Sequence, residues 1–168
     1  MSTDDTTTAT ADQPEADTPL PRLGEIGLEN FPPYLMNRIM GRYNASLREE
    51  MAALGLNTAK MRALAVLSVL DGLLIRELAV YAVVEQSTLS RSLDKLEQDE
   101  LIIRRPDPDD SRATRIFMAP KGRETQEKLW PHIAEAYAQM FTGISVEEQR
   151  QFVTTLQTIL RNVRVHQI

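Results

Sequence analysis

The stretch that most constrains this chain is residues 86–118, where a helix-periodic segment runs into two β-branched segments split by Pro106-Asp107-Pro108-Asp109-Asp110-Ser111. At 100° per residue, Leu89, Leu93 and Leu96 cluster within about 60° on one side of a helix over 86–98. The runs 101–105 (LIIRR) and 112–118 (RATRIFM) read as the strands of a β-hairpin around a proline-stiffened loop. A two-stranded hairpin is not stable alone, so it must lean on neighbouring helices. Just upstream, LIRELAVY over Leu74 to Tyr81 makes a short helix, and Ala82-Val83-Val84 is a tight link to the next one. Two short helices joined by such a turn form a helix-turn-helix. With the hairpin, the pattern is a winged helix-turn-helix.

Helices flank this centre on both sides. Pro32-Pro33 suits a first helical turn, and Met36, Met40, Tyr43, Leu47, Met51 and Leu54 recur at helical spacing, predicting one helix of about five turns closed by Gly55. Asn57 or Thr58 can cap a second helix running to about Leu70, where Asp71-Gly72 breaks it. Past the hairpin, Leu129, Ile133, Ala136, Tyr137 and Met140 form a stripe, with Pro131 a kink or restart. Ser145-Val146-Glu147-Glu148 matches a capping box ahead of Phe152, Leu156, Ile159, Leu160 and Val163. The expected fold is mostly α with a small β-hairpin wing. Its divisions are a disordered acidic Thr/Pro-rich tail (1–22), an N-terminal dimerisation helix region (23–55), the winged domain (56–119) and C-terminal dimerisation helices (120–168).

Composition narrows the function. The chain has no cysteine and only His132 and His166 as imidazoles, which excludes disulfides, thiolate chemistry and multi-histidine metal sites. No metal and no cofactor is expected, and no glycine-rich phosphate loop, catalytic carboxylate pair or nucleophile–base motif points to an enzyme. The longest apolar stretch, Ala63 to Leu70, falls far short of the ~20 residues that span a bilayer. Residues 1–18 lack the basic and apolar regions of a secretory signal, so a cytoplasmic location is expected. Residues 1–30 hold seven carboxylates against Arg22, a net of −6, which leaves +1 on the rest of a chain whose total is −5. The acidic balance therefore belongs to the tail and does not argue against an anionic partner.

The chemistry sits opposite the three leucines. Ser87, Arg91, Asp94, Lys95 and Gln98 face outward, flanked by Thr88 and Ser90. Small polar side chains that let the backbone approach, with an arginine in reach of base edges, suit a DNA major groove. Gln86, Ser87 and Thr88 also place N–H groups at the positive helix end, where a phosphate is favoured. On the wing, Arg112 and Arg115 flank the tip and Arg104 and Arg105 lie on the opposite strand. Asp110 is expected to orient one of these guanidinium groups toward the DNA backbone.

These residues resemble the multiple antibiotic resistance regulator (MarR) family of bacterial transcription factors. The resemblance runs from about Pro32 to Arg164 and is most specific over STLSRSLDKLEQDELIIRRPDPDDSRATRIFM, through Ser87, Thr88, Ser90, Arg91, Leu93, Leu96, Asp110 and Arg112. Two positions depart from the family pattern: Glu100 stands where the family has Gly, and Ala119 where it has a capping Thr. A non-glycine residue in a left-handed conformation at 100 is unfavourable by roughly 1 kcal/mol.

The resemblance implies a homodimer whose first and last helices interlock, with two recognition helices about 34 Å apart on a pseudo-palindromic operator of double-stranded DNA. It implies a repressor in which Gln86, Ser87, Thr88, Ser90 and Arg91 read bases, Arg112 and Arg115 anchor the wing, and Lys95 and Thr58 touch phosphates. A phenolic or aromatic-acid effector would sit among Met36, Met40, Tyr43, Met61, Trp130 and His132. The peroxide-sensing branch of the family needs a reactive cysteine, which is missing here, and the zinc-sensing branch needs more His or Cys ligands than this chain offers. A winged-helix module for protein partners is the competing reading, and Ser87, Arg91 and Lys95 on the outward face weigh against it.

Overall fold

The structure, a computed structural model, describes residues 21–110 and 112–164; all but the last two residues of the expected acidic tail lie outside them. The chain divides into two units, up to Ile39 and from Met40 onward. The first contains α1 (Leu23–Ile26), a 3₁₀ turn over Leu28–Asn30 and the start of α2 (Pro32–Ser46). The prolines occupy the first turn of α2, where their missing N–H groups are harmless. The Arg38 guanidinium lies 6.0 Å from the Tyr34 ring centre.

In the second unit the expected five-turn helix is broken. Leu47 leaves the helical region at φ −94°, ψ 0°, and α3 (Arg48–Ala53) follows. Ser46 Oγ donates to the Tyr43 carbonyl at 2.9 Å, a local bond that competes with the helical ladder, and Leu47 is turned into the core at 1% exposure. Gly55 closes α3 at φ +69° as expected, with the Leu56 amide donating to the Met51 carbonyl at 2.8 Å. Asn57 is the cap of α4 (Thr58–Leu67), its Oδ1 accepting from the Lys60 amide at 2.9 Å. The helix stops three residues short of Leu70, where Ser68 Oγ donates to the Ala65 carbonyl at 2.7 Å.

Then come β1 (Leu73–Leu74), α5 (Ile75–Ala82), α6 (Gln86–Gln98), β2 (Ile102–Pro106) and β3 (Thr114–Met118). The hairpin forms with strands slightly displaced from 101–105 and 112–118, in the antiparallel register Ile102↔Met118 to Pro106↔Thr114. It is not left two-stranded: β1 pairs with β3, Leu73 opposite Ile116, giving the order β1-β3-β2. The third strand is how the wing leans on the helices.

α7 (Pro120–Met140) starts without a side-chain cap at Ala119, as the missing Thr foretold, and does not restart at Pro131. One ladder bond is lost there, while Thr125 and Leu129 bury the preceding turns. α7 enters so close to β2 that a Cβ on Gly122 would lie 2.1 Å from the Leu101 carbonyl oxygen. α8 (Val146–Val163) begins on the expected capping box, with Ser145 Oγ donating to Glu148 Oε2 at 2.6 Å and accepting from the Glu148 amide at 3.3 Å. The core is leucine-rich: Leu64, Leu67, Leu78, Leu89, Leu93, Leu96 and Leu129, together with Ile116, are fully buried.

Candidate nucleic-acid interface

The position of α6 follows from its two ends. α5 closes at Val83, which adopts a left-handed φ of +51°, with the Val84 amide donating to the Ala79 carbonyl at 3.1 Å. Arg62 Nη1 donates to the Val83 carbonyl at 3.2 Å and pins the turn to α4. At the other end Glu100 takes φ +62°, the conformation for which the family pattern keeps glycine. Between these turns Leu89, Leu93 and Leu96 are wholly buried, so the opposite face must look outward. Gln86, Ser87, Thr88, Arg91 and Lys95 are exposed and Ser90 is half-buried. The face read from the sequence is the face that forms.

Its N-terminus differs from the expectation. Glu85 is the N-cap, and its Oε2 accepts from the Ser87 amide at 2.7 Å, from the Thr88 amide at 3.1 Å and from Ser87 Oγ. Two of the three N–H groups offered to a phosphate, those of Ser87 and Thr88, are therefore engaged by a carboxylate of the chain itself. The Ser87 hydroxyl, then the Thr88 amide, hold the Glu85 carboxyl below its usual range, so it is ionised at neutral pH. An acidic residue at the start of a helix is a signal that the sequence carries at Glu85.

The wing also departs from expectation. Asp110 does not orient a guanidinium: its Oδ1 accepts from the Arg112 backbone amide at 2.9 Å. The orienting carboxylate is Asp107, nearly buried, whose Oδ2 accepts from Arg115 Nε at 2.5 Å while Arg115 Nη1 donates to the Gly72 carbonyl at 2.9 Å. Asp107 Oδ1 meanwhile accepts from the Asp109 and Asp110 amides at 2.8 and 2.9 Å, which shapes the loop. The Asp109 amide first, then the Asp110 amide and the Arg115 guanidinium, outweigh burial and hold the Asp107 carboxyl low. Arg115 thus ties the wing to β1. Arg104 is bound to Asp94 and Glu97 of α6, each at 2.8 Å, and Arg105 lies 5.2 Å from the Phe117 ring centre. Of the four wing arginines, Arg105 and Arg112 are exposed and make no ion pair with a described residue.

Lys95 is exposed but bridged to Asp99 at 2.9 Å, and Thr58 is the half-buried first residue of α4. The suggested effector residues are scattered in environment. Met61 is core, Tyr43 packs against the core, and Trp130 is 59% exposed. His132 Nε2 lies 3.5 Å from Glu50. Met36 is half-buried and belongs to the first unit, whereas Met40 opens the second. None of these six lines the open cleft of about 470 Å³ beside Glu97, Ile103 and Lys121. Among the described residues no cluster of potential metal ligands occurs and no helix is long and apolar enough to cross a membrane.

Comparison with known proteins places this geometry. The MarR family profile matches residues 54–113, from the end of α3 to the wing. The HTH-type transcriptional repressor IacR of Pseudomonas putida is 23% identical over 143 residues, 85% of this chain and 86% of that protein. CouR from Rhodococcus jostii RHA1, solved bound to p-coumaroyl-CoA, shares the fold at a TM-score of 0.70 and 21% identity, over 83% of this chain and 99% of CouR. A MarR family transcriptional regulator from Silicibacter pomeroyi is 55% identical, with a TM-score of 0.84 over 88% of this chain and 100% of its own. A relative that similar, matched along its whole length by the same winged architecture, leaves one assignment: the chain belongs to the MarR family of transcriptional regulators.

Proposed function

We propose that the protein is a homodimeric, ligand-responsive repressor that reads a pseudo-palindromic operator through α6. The carrying observation is the exposed face of α6, polar and short-chained at its N-terminal half, set against a fully buried leucine face. Gln86, Ser87, Thr88, Ser90 and Arg91 are the base-reading set. Arg112 anchors the wing on the backbone, and Lys95 and Thr58 approach phosphates. Arg115 and Asp110 serve the same surface indirectly, by holding the wing in shape.

The homodimer reading rests on apolar side chains left uncovered on the flanking helices. Leu35, Ile39 and Met40 on α2, Tyr137 on α7 and Phe152, Val153 and Leu160 on α8 are 39–62% exposed. Exposed apolar surface of this kind marks an interface. It supports residues 23–55 and 120–168 as dimerisation segments around a DNA-binding domain at 56–119. The effector is proposed as an aromatic acid or its thioester. CouR bound to p-coumaroyl-CoA and BpsR regulated by 6-hydroxynicotinic acid, which share this fold, support that class.

The test is selection of bound sequences from a random DNA pool, followed by fluorescence anisotropy on the selected duplex at several salt concentrations. A two-fold symmetric motif, nanomolar affinity and a steep fall with salt are expected. Arg91→Glu/Arg112→Glu should abolish binding and leave the dimer intact. Aromatic acids and their CoA thioesters are then screened for release. No enriched motif would refute the reading.

A further inference from the structure

Residues 85–100, which include the whole recognition helix, carry five carboxylates (Glu85, Asp94, Glu97, Asp99, Glu100) against two cations, Arg91 and Lys95. By its own charge such a helix should be repelled by a polyanion. Compensating cations come largely from other elements. Lys95, and Lys60 of α4 at 3.8 Å, face Asp99, and Lys121 of α7 lies 3.5 Å from Glu100. Glu85 caps the helix itself, and Arg104 of β2 takes the other two: Nη2 to Asp94 Oδ1 and Nη1 to Glu97 Oε2, both at 2.8 Å. Asp94 lies on the outward side with Ser87 and Arg91, and its side chain is 56% exposed, whereas that of Arg104 is 23% exposed with Nε buried.

We propose that Arg104 is a positioning residue for DNA recognition. It neutralises Asp94 and Glu97 beside the reading face of α6 and locks that helix to the wing, without itself touching DNA. The bridge spans the two elements that must meet DNA together, so one guanidinium sets both the local charge and the angle between helix and wing. A guanidinium forked between carboxylates one helical turn apart is suited to this in a way an ammonium is not.

The inference rests on the DNA-reading function proposed above, and the test separates the two. DNA selected from a random pool by the full-length wild-type protein serves as the probe; if no motif is enriched, both fall. Given a motif, Arg104→Gln should weaken binding roughly ten- to a hundredfold, the scale of like charge brought against like at an interface. Adding Asp94→Asn and Glu97→Gln to Arg104→Gln should restore affinity to within a few-fold of wild type. A charge-matched control, Arg104→Gln with Glu124→Gln and Glu127→Gln on α7, should stay weak. Arg104→Lys, which keeps the charge and loses the fork, should fall between wild type and Arg104→Gln and serves in its place if the glutamine variant fails to fold. Thermal melts separate folding from binding. Unchanged affinity in Arg104→Gln overturns the proposal. So does a triple variant no better than the control, because Arg104 would then act on DNA directly or on the fold alone.

Discussion

Both ends of α6 are held by residues that disfavour their own backbone conformation, and relieving that strain should raise stability by a calculable amount. Val83 sits at φ 51°, ψ 51°. For an L-residue the left-handed region is unfavourable by about 1–2 kcal/mol. Glycine removes that term but loses about 0.5–1 kcal/mol to the greater entropy of its unfolded chain. Val83→Gly should therefore gain roughly 0.5–1 kcal/mol. Little opposes the gain, since Val83 is 78% exposed and the bond it receives from Arg62 is to its carbonyl. Glu100→Gly should gain a similar amount, less the exposed pair with Lys121 at 3.5 Å, a contact of the kind that contributes little. The two sites flank a 13-residue helix, about 20 Å at 1.5 Å per residue, so their effects should add. The assay is urea unfolding at one fixed protomer concentration, read as a higher midpoint with unchanged slope. Each kcal/mol should also raise Tm by about 2–4 °C for a chain of this size. Val83→Ala keeps a Cβ in the strained conformation and should recover less than Val83→Gly. A midpoint at or below wild type for Val83→Gly, or an alanine variant equal to it, would refute strain as the cause.

Packing, wing and cap give three further predictions. Gly122→Ala places a methyl 2.1 Å from the Leu101 carbonyl oxygen and should destabilise by about 1–3 kcal/mol, read as a lower Tm; an unchanged Tm would show that α7 can shift freely. The low Asp107 carboxyl contributes stability that is fully present above its unfolded value and lost as pH falls through the folded one, a window below about pH 4. Asp107→Asn should accordingly be less stable at neutral pH and lose less on acidification. Equal acid sensitivity of the two proteins in paired pH–urea titrations would count against the assignment. Glu85→Gln removes a negative charge from the end of α6 and should tighten binding to scrambled DNA more than to the selected motif. Anisotropy on both duplexes measures this, and an unchanged ratio would remove Glu85 from the interface.

Periodicity made most of the fold legible. Three leucines four and three residues apart fixed which side of α6 is buried, and α6 spans the expected residues 86–98. The capping box at Ser145 and the asparagine cap at 57 formed as their residue types require. What was missed depends on partners far away in sequence. A two-residue strand at Leu73–Leu74 carries no periodic signal and exists only because β3 offers it an edge. The break at Leu47 falls inside an uninterrupted apolar stripe, so spacing alone predicts that the helix continues.

The site was legible as a face and illegible as a set of bonds, because a side chain's type sets what it can bind and the fold decides which partner it meets. Four wing arginines read alike in sequence, yet Arg115 is drawn to Asp107, Arg104 to α6 and Arg105 to an aromatic ring, while Arg112 stays exposed. Asp110 and Asp107 differ by three positions in an acidic loop. Turn geometry buries Asp107, and burial makes it the one that commands a guanidinium. Counting positive charges over a motif therefore overstates what is available to DNA. Among the described residues of α6 and the wing, Lys95, Arg104 and Arg115 are each paired with a carboxylate, which leaves Arg91, Arg105 and Arg112 outside any ion pair there. The discriminating quantity is the charge left after pairing, and only the folded chain sets it.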